Sequence, residues 1–265
     1  MSDWLLCTES LYKSFGAVVA SDALSLRIRR GEIHALIGPN GAGKTTVINQ
    51  LAGELAPDAG SIRFDGRDIT RLSVDRRARL GLARTFQVST LFDELSVADN
   101  LGLSVQPRLG HSYHFWRRAD RDPAIAGRVE ALLDALELRA LAPLRAGSLA
   151  HGDRRRLELA MALAGDPAML LLDEPMAGAG PESSLELARL LAGLKGRVTV
   201  LLVEHDMDVV FSIADSISVM VAGRCIASGP PDTVRADAAA RRAYLGDSGG
   251  DSGGDSGGEA GSEAD

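Results

Sequence analysis

Lys44 and Thr45 close the segment Gly38-Pro39-Asn40-Gly41-Ala42-Gly43-Lys44-Thr45, which has the form Gly-x-x-x-x-Gly-Lys-Thr. That spacing suits a phosphate chain. The glycines let the backbone curl without Cβ clashes. Successive N–H groups then face an anion at the positive end of a helix that starts there. Lys44 is placed to reach β- and γ-phosphates, and the Thr45 hydroxyl to hold Mg²⁺. A second pair of chemical groups, Asp173 and Glu174, follows the apolar run Met169-Leu170-Leu171-Leu172. A carboxylate at the end of a buried parallel strand can bind the same metal, and its neighbour can polarise an attacking water.

These residues need elements to carry them. Ile33, Ala35, Leu36 and Ile37 read as a buried strand ahead of the glycine-rich turn. Thr45 through Leu55 read as a helix with Val47, Ile48 and Leu51 on one face. Residues 1 to about 90 alternate short apolar strands with turns, and residues from about 91 to 165 read as helical. In that stretch Ser96 is an N-cap candidate ahead of Val97, Leu101 and Val105. Ile125–Leu136 and Leu157–Ala164 mark two further helices. From residue 168 to about 228, strand and helix alternate again. The predicted segments are Met169–Leu172, Ser184–Leu194, Val198–Val203, Met207–Ala214 and Ile217–Val221. The pattern predicts an α/β core with a parallel sheet flanked by helices and interrupted by a helical insert.

Charge narrows the function class. The chain has 29 Lys and Arg against 36 Asp and Glu, a net charge of −7. Six of those acids and no base lie in residues 247–265, where Asp-Ser-Gly-Gly repeats three times before the composition decays further. That segment reads as a flexible acidic tail, leaving a body of 29 bases and 30 acids with no nucleic-acid footprint. Cys7 and Cys225 lack metal or redox spacing and read as core fillers in a reducing compartment. No secretion signal and no apolar run long enough to span a bilayer is visible. His34, inside an apolar strand, reads as a packed core histidine. Arg154-Arg155-Arg156 reads as a solvated helical face, and the aromatic-basic run from His111 to Arg118 as a loop between helices.

The order of motifs resembles the nucleotide-binding subunits of ABC transporters from about Leu5 to Gly246. Gln87, in Arg-Thr-Phe-Gln, lies 43 residues after Lys44 and looks like the family's Q-loop glutamine. Leu149-Ala150-His151-Gly152-Asp153 stands where the family carries Leu-Ser-Gly-Gly-Gln, 24 residues before Asp173. His205, in Val-Glu-His-Asp, lies 31 residues after Glu174 and looks like the switch histidine. Phe15, before Gly16, matches the aromatic that stacks on adenine.

The resemblance implies a P-loop NTPase core with an antiparallel β subdomain and an inserted helical subdomain at about residues 91–165. It implies an ATP-binding domain over residues 1–246, with residues 247–265 a disordered tail. Residues 38–46, ending in Lys44, Thr45 and Thr46, would bind ATP. Thr45, Gln87 and Asp173 would organise Mg²⁺, Glu174 would be the general base and His205 would contact the γ-phosphate. Residues 149–153 would contact ATP held by a second ATPase subunit, in a homo- or heterodimer. Membrane-spanning permease subunits and an extracytoplasmic solute-binding protein are the other implied partners, with no nucleic acid. The implied location is the cytoplasmic face of the plasma membrane.

Departures from the pattern fall in the trans-contacting loop and in the loop after Asp173-Glu174-Pro175. Ala150 replaces serine, His151 and Asp153 replace glycine and glutamine, and Gly180 stands where an aspartate is common. His151 could touch nucleotide or tune the loop from the surface. Arg-Thr-Phe-Gln, Glu-Pro-Met-Ala-Gly-Ala-Gly-Pro, Val-Glu-His-Asp-Met and the ending Arg-Ala-Tyr-Leu-Gly resemble the ATPases of branched-chain amino-acid importers. Relatives of that kind also serve urea, amides, aromatic acids and lipopolysaccharide export. A soluble ABC ATPase and a poorly hydrolysing regulatory subunit are the other readings.

Overall fold

A computed structural model describes residues 3–85, 91–109 and 122–245. The chain opens with three strands, β1 (Trp4–Phe15), β2 (Val18–Leu24) and β3 (Arg27–Arg29), then β4 (Ile33–Ile37) and α1 (Lys44–Ala52). Next come β5 (Ala59–Phe64), β6 (Arg67–Asp68), α2 (Val74–Arg79) and β7 (Leu82–Arg84). Among the described residues α3 (Val97–Val105), α4 (Pro123–Ala135) and α5 (His151–Leu163) follow, with short 3-10 turns between them. The last third runs β8 (Met169–Asp173), α6 (Pro181–Ala192), β9 (Thr199–Val203), α7 (Met207–Ile213), β10 (Ser216–Val221) and β11 (Arg224–Gly229). It ends with α8 (Pro231–Ala236) and α9 (Ala238–Leu245).

Among the described residues two sheets form. One is antiparallel, in the order β2-β1-β5-β6, with β3 also on β1. The other runs β11-β10-β4-β9-β8-β7, parallel except for the edge pair β10–β11. Every residue of β4, β8 and β9 is buried, as expected of parallel strands covered on both faces. Their side chains alternate between two cores. Leu170, Leu172, Val200 and Leu202 face a core shared with α3, α4, α5 and α6. Met169, Leu171, Leu201 and Val203 face a core shared with α1 and the antiparallel sheet. Each such buried Leu or Val contributes roughly 1.5–3 kcal/mol.

Local chemistry sets the helix limits. The Ser96 hydroxyl accepts from Asp99 N–H at 3.0 Å and caps α3, as its position in the sequence predicted. Asp122 caps α4 ahead of Pro123, accepting from Ala124 N–H at 2.8 Å. The phosphate-loop helix stops at Ala52, three residues earlier than the sequence pattern suggested, because Gly53 turns left-handed at φ 89°. Its final carbonyls are held by Arg77, whose side chain is fully buried. The guanidinium donates to Gln50 O and Leu51 O at 2.7 Å and to Thr70 O and Leu72 O at 3.0 Å. His34 is buried and bonded through Nε2 to Ser218 Oγ at 2.9 Å and through Nδ1 to Glu32 at 3.1 Å. It is the packed core histidine expected. Both cysteines are half-buried, and burial pushes both thiols up, away from reactivity.

The arginine run differs from expectation. Arg154 pairs with Asp93 at 2.8 Å, Arg155 with Glu158 at 2.9 Å and Arg156 with Asp153. All three are partly covered rather than a solvated face, because acids lie one turn away or on the neighbouring loop.

Candidate functional site

The phosphate loop leaves the carboxyl end of β4, Glu174 the end of β8 and His205 the end of β9. These three strands are neighbours in the order β4-β9-β8. Val203 lies in register with both Leu36 and Asp173. Residues far apart in the chain therefore emerge along one sheet edge, where ligands bind open parallel sheets.

The loop itself is clamped. A Cβ on Gly38 would lie 2.0 Å from Met220 O, and one on Gly43 would lie 2.1 Å from Ala20 O. Gly43 also sits at φ 102° as the residue before α1. Only glycine fits either place, so the strand β10 and the β1–β2 hairpin press the loop into its curve. Pro39, Asn40 and Gly41 form its outer rim, and Ala42 anchors it through its carbonyl, which accepts from Gly223 N–H at 2.9 Å. Lys44 folds back over the loop, donating to Gly38 O at 2.7 Å and Pro39 O at 3.0 Å. Thr45 is exposed and Thr46 half-exposed on the first turn of α1.

Asp173 is the most unusual group here. Its side chain is 1% exposed, and neither carboxylate oxygen accepts a hydrogen bond. Arg84 Nη2 lies 3.5 Å from Oδ2. Burial pushes the Asp173 pKa up, and the charge of Glu174 adds to that. Arg84, Lys44 and the Thr45 hydroxyl pull it back. Two buried, unsatisfied oxygens near a lysine, a threonine hydroxyl and a phosphate-binding loop fit a hard cation. Mg²⁺ takes one or two carboxylates and completes its shell with phosphates and water. Among the described residues no group of three or more His, Cys, Asp or Glu is placed to hold a metal ion.

Glu174 follows at φ 50°, a left-handed backbone uncommon outside glycine. Its N–H donates to Val203 O at 2.9 Å. His205 is exposed at the end of β9, its Nδ1 3.8 Å from the buried Glu204 carboxylate. Sequence reading passed over Glu204. It is 1% exposed, and its oxygens accept from Met176 N–H at 2.9 Å and His205 N–H at 3.2 Å.

Phe15 stands at the tip of the β1–β2 hairpin, 52% exposed, with Lys13 Nζ 5.5 Å from its ring centre. The same hairpin supplies Ala20 to the loop at Gly43. Residues 149–153 lie elsewhere, at the start of α5. Leu149 is buried and Ala150 occupies the N-cap position without a side-chain bond. His151 Nε2 is 3.9 Å from where a Gly178 Cβ would be, and a Cβ on Gly152 would meet Ser183 Oγ at 2.9 Å. This loop thus packs on α6 and the turn before it. Gln87 and the run from His111 to Arg118 lie outside the described residues.

A strand, a clamped glycine loop, a helix N-terminus and a carboxylate two strands away in the same sheet define a nucleotide-binding ATPase. The ABC transporter family model matches residues 21–177, and a branched-chain amino acid ATP-binding cassette transporter model matches residues 224–249. The chain is 39% identical over 257 residues to the high-affinity branched-chain amino acid transport ATP-binding protein LivG of Salmonella typhimurium, covering 94% of this chain and all of LivG. It is 37% identical to BraF of Pseudomonas aeruginosa over the same shares, and 38% identical to the lipopolysaccharide export ATP-binding protein LptB of Acidithiobacillus ferridurans, covering 92% and 97%. Among solved structures, an ATP-binding cassette of an ABC transporter in its ADP conformation aligns with a TM-score of 0.79 at 29% identity, covering 92% of this chain and all of that one. A nucleotide-free cassette aligns at 0.78 and 28%, covering 91% and 98%. The chain belongs to the ABC transporter family, as one of its ATP-binding, ATP-hydrolysing subunits. Among the described residues no helix is long and apolar enough to cross a membrane.

Proposed function

We propose that this subunit powers an importer of branched-chain or other amino acids or a related small polar solute, working peripherally on the cytoplasmic face of the plasma membrane. The C-terminal match at residues 224–249 and the LivG and BraF relatives support that cargo class. Permease subunits, a second ATPase subunit and a solute-binding protein complete the assembly.

The carrying observation is the unsatisfied Asp173 carboxylate beside the clamped loop. Lys44 and the N–H groups of residues 38–46 bind the triphosphate, and Phe15 supplies a face for the adenine. Thr45 and Asp173, joined by Gln87, would hold Mg²⁺, which would supply positive charge to offset that of the phosphates. Glu174 orients or deprotonates the attacking water, and His205 contacts the γ-phosphate. Residues 149–153 meet ATP bound by the partner subunit, where the loop's Ala150, His151 and Asp153 replace the common hydroxyl, glycine and amide. Most of the catalysis is positioning and charge stabilisation by preset groups.

Tagged chain drawn from detergent-solubilised membranes of its source tests the assembly. Recovery of multi-span permeases and an amino-acid-binding protein is the expected result. Recovery of lipopolysaccharide-export components would move the cargo to the branch represented by LptB, and ribosomal or DNA-associated partners would overturn a transport role. Glu174→Gln is expected to trap an ATP-bound dimer. A monomer that turns ATP over normally would overturn the assigned base and the paired site together.

A further inference from the structure

The turn after β8 holds a backbone that does not keep itself. Glu174 at φ 50° costs energy for a residue with a Cβ, and such conformations persist only where surroundings over-determine them. Two bonds hold this one from the side of β9. The first is backbone: Glu174 N–H to Val203 O at 2.9 Å. The second is a side chain: Glu204 Oε1 accepts from Met176 N–H at 2.9 Å. The other oxygen of Glu204 accepts from the N–H of His205, the next residue in the chain, at 3.2 Å.

We propose that Glu204 is a positioning residue whose buried carboxylate ties the turn carrying Glu174 to the strand end carrying His205, so that the two groups keep one spacing through hydrolysis. This rests on the roles given above to Glu174 and His205. A carboxylate suits the task because it is acceptor-only and offers an oxygen to each N–H. An amide has one oxygen, and its NH₂ would oppose the second N–H. A buried N–H left unpaired is costly, which keeps the two segments joined while the carboxylate is present. The ion's own burial is costly too, and raises its pKa, with the two N–H groups and His205 acting against that rise. A residue serving stability alone would be better replaced by an apolar one.

The test uses the full chain with Glu204→Gln, and Glu204→Ala as a second variant that removes the acceptors without opposing an amide. Three quantities are read: hydrogen exchange at the Met176 and His205 amides, ATP affinity, and single-turnover hydrolysis of MgATP. Exchange at one or both amides is expected to rise at least about tenfold, with the amides of β4 and α1 unchanged as an internal check on folding. Hydrolysis is expected to slow about tenfold or more while ATP affinity changes less than about twofold. Unchanged hydrolysis, or unchanged exchange, in the folded variants overturns the proposal. Glu174→Gln and His205→Ala are measured alongside: if they hydrolyse at the wild-type rate, the underlying roles fail, whereas if they are slow and the Glu204 variants are not, only the tie fails.

Discussion

Arg84 reaches from β7 to Asp173 on β8, its Nη2 3.5 Å from Oδ2, while its Nη1 bonds Asn49 Oδ1 at 2.7 Å and Glu54 at 2.6 Å. The contact to Asp173 is too long for a strong hydrogen bond, so it balances charge without occupying the oxygens. The Asp173 carboxylate is thereby kept in place and kept available. Without nucleotide that arrangement is a stability cost. Asp173→Asn is expected to stabilise the nucleotide-free chain by on the order of 1 kcal/mol. It is also expected to abolish the extra thermal shift that Mg²⁺ adds to ATP. Thermal melts with ATP and EDTA, and with ATP and Mg²⁺, check both halves.

The clamp on the loop gives a steric prediction. Gly43→Ala places a methyl against Ala20 O in a backbone that already disfavours side chains. ATP binding is expected to fall at least about a hundredfold, because backbone must move before the donors can converge. Gly41→Ala is the comparison. Nothing lies within 4 Å of a Cβ there, so it carries only the penalty of φ 76° and should bind ATP better than the Gly43 variant. Equal losses would mean that space around the loop is not what restricts it.

Among the described residues Arg77 is the most buried cation, 1% exposed and bonded to four main-chain carbonyls. Those carbonyls include the unpaired end of the phosphate-loop helix, where a cation also meets the negative end of the dipole. Arg77→Ala leaves them without a donor and should cost about 3 kcal/mol. Arg77→Lys, which cannot fork to four acceptors, should recover only part of that. Chemical unfolding of the two variants reads the difference.

Ala150 leaves the N-terminus of α5 without a side-chain cap. Ala150→Ser restores an acceptor for the free N–H groups and is expected to add about 1 kcal/mol of stability. If residues 149–153 also meet the partner's nucleotide, the same change should tighten ATP-dependent dimerisation, read by analytical ultracentrifugation. A gain in melting temperature without a change in dimerisation would confine the serine to a capping role.

Glu204 makes stability depend on pH in a definite sense. Burial raises its pKa above the ordinary 4.5, and Glu174 adds to the rise, while the N–H groups of Met176 and His205 and the His205 ring oppose it. The folded chain therefore holds this proton more tightly than the unfolded one. The favourable contribution is fully present below the ordinary glutamate pKa and is lost as pH rises through the raised one. The stability of wild type relative to Glu204→Gln should thus decline from pH ~4.5 upward and then level off. Urea unfolding of both proteins across that range is the measurement, and a pH-independent difference would refute the shift.

The central strands β4, β8 and β9 were legible because each is mostly apolar, and β4 fell on the predicted residues, whereas the short edge strands β7 and β11 carry mixed sequences and were not read. The phosphate loop was legible because glycine, lysine and threonine each have a steric or charge reason at fixed spacing. Asp173 and Glu174 were visible only once that loop was known, since an acid after a strand is ordinary alone. Arg77 and Glu204 were not legible. Nothing local marks a charged residue that will be buried, because the acceptors of Arg77 and the Met176 donor of Glu204 lie up to 28 residues away in sequence. Arg154, Arg155 and Arg156 misled for the same reason in reverse. Their spacing suggested solvent, while Asp93, 61 residues upstream of Arg154, turned one of them inward.

The walls of the phosphate loop have a bearing on how the protein is made. When a ribosome has released Thr45, every residue of the loop has been synthesised, yet Met220, whose carbonyl closes over Gly38, is still 175 codons away. A nascent chain that carries the loop's full sequence lacks one of the surfaces that shape it. The geometry predicts that full competence to bind nucleotide arrives late in translation, once β10 has emerged and joined the sheet beside β4.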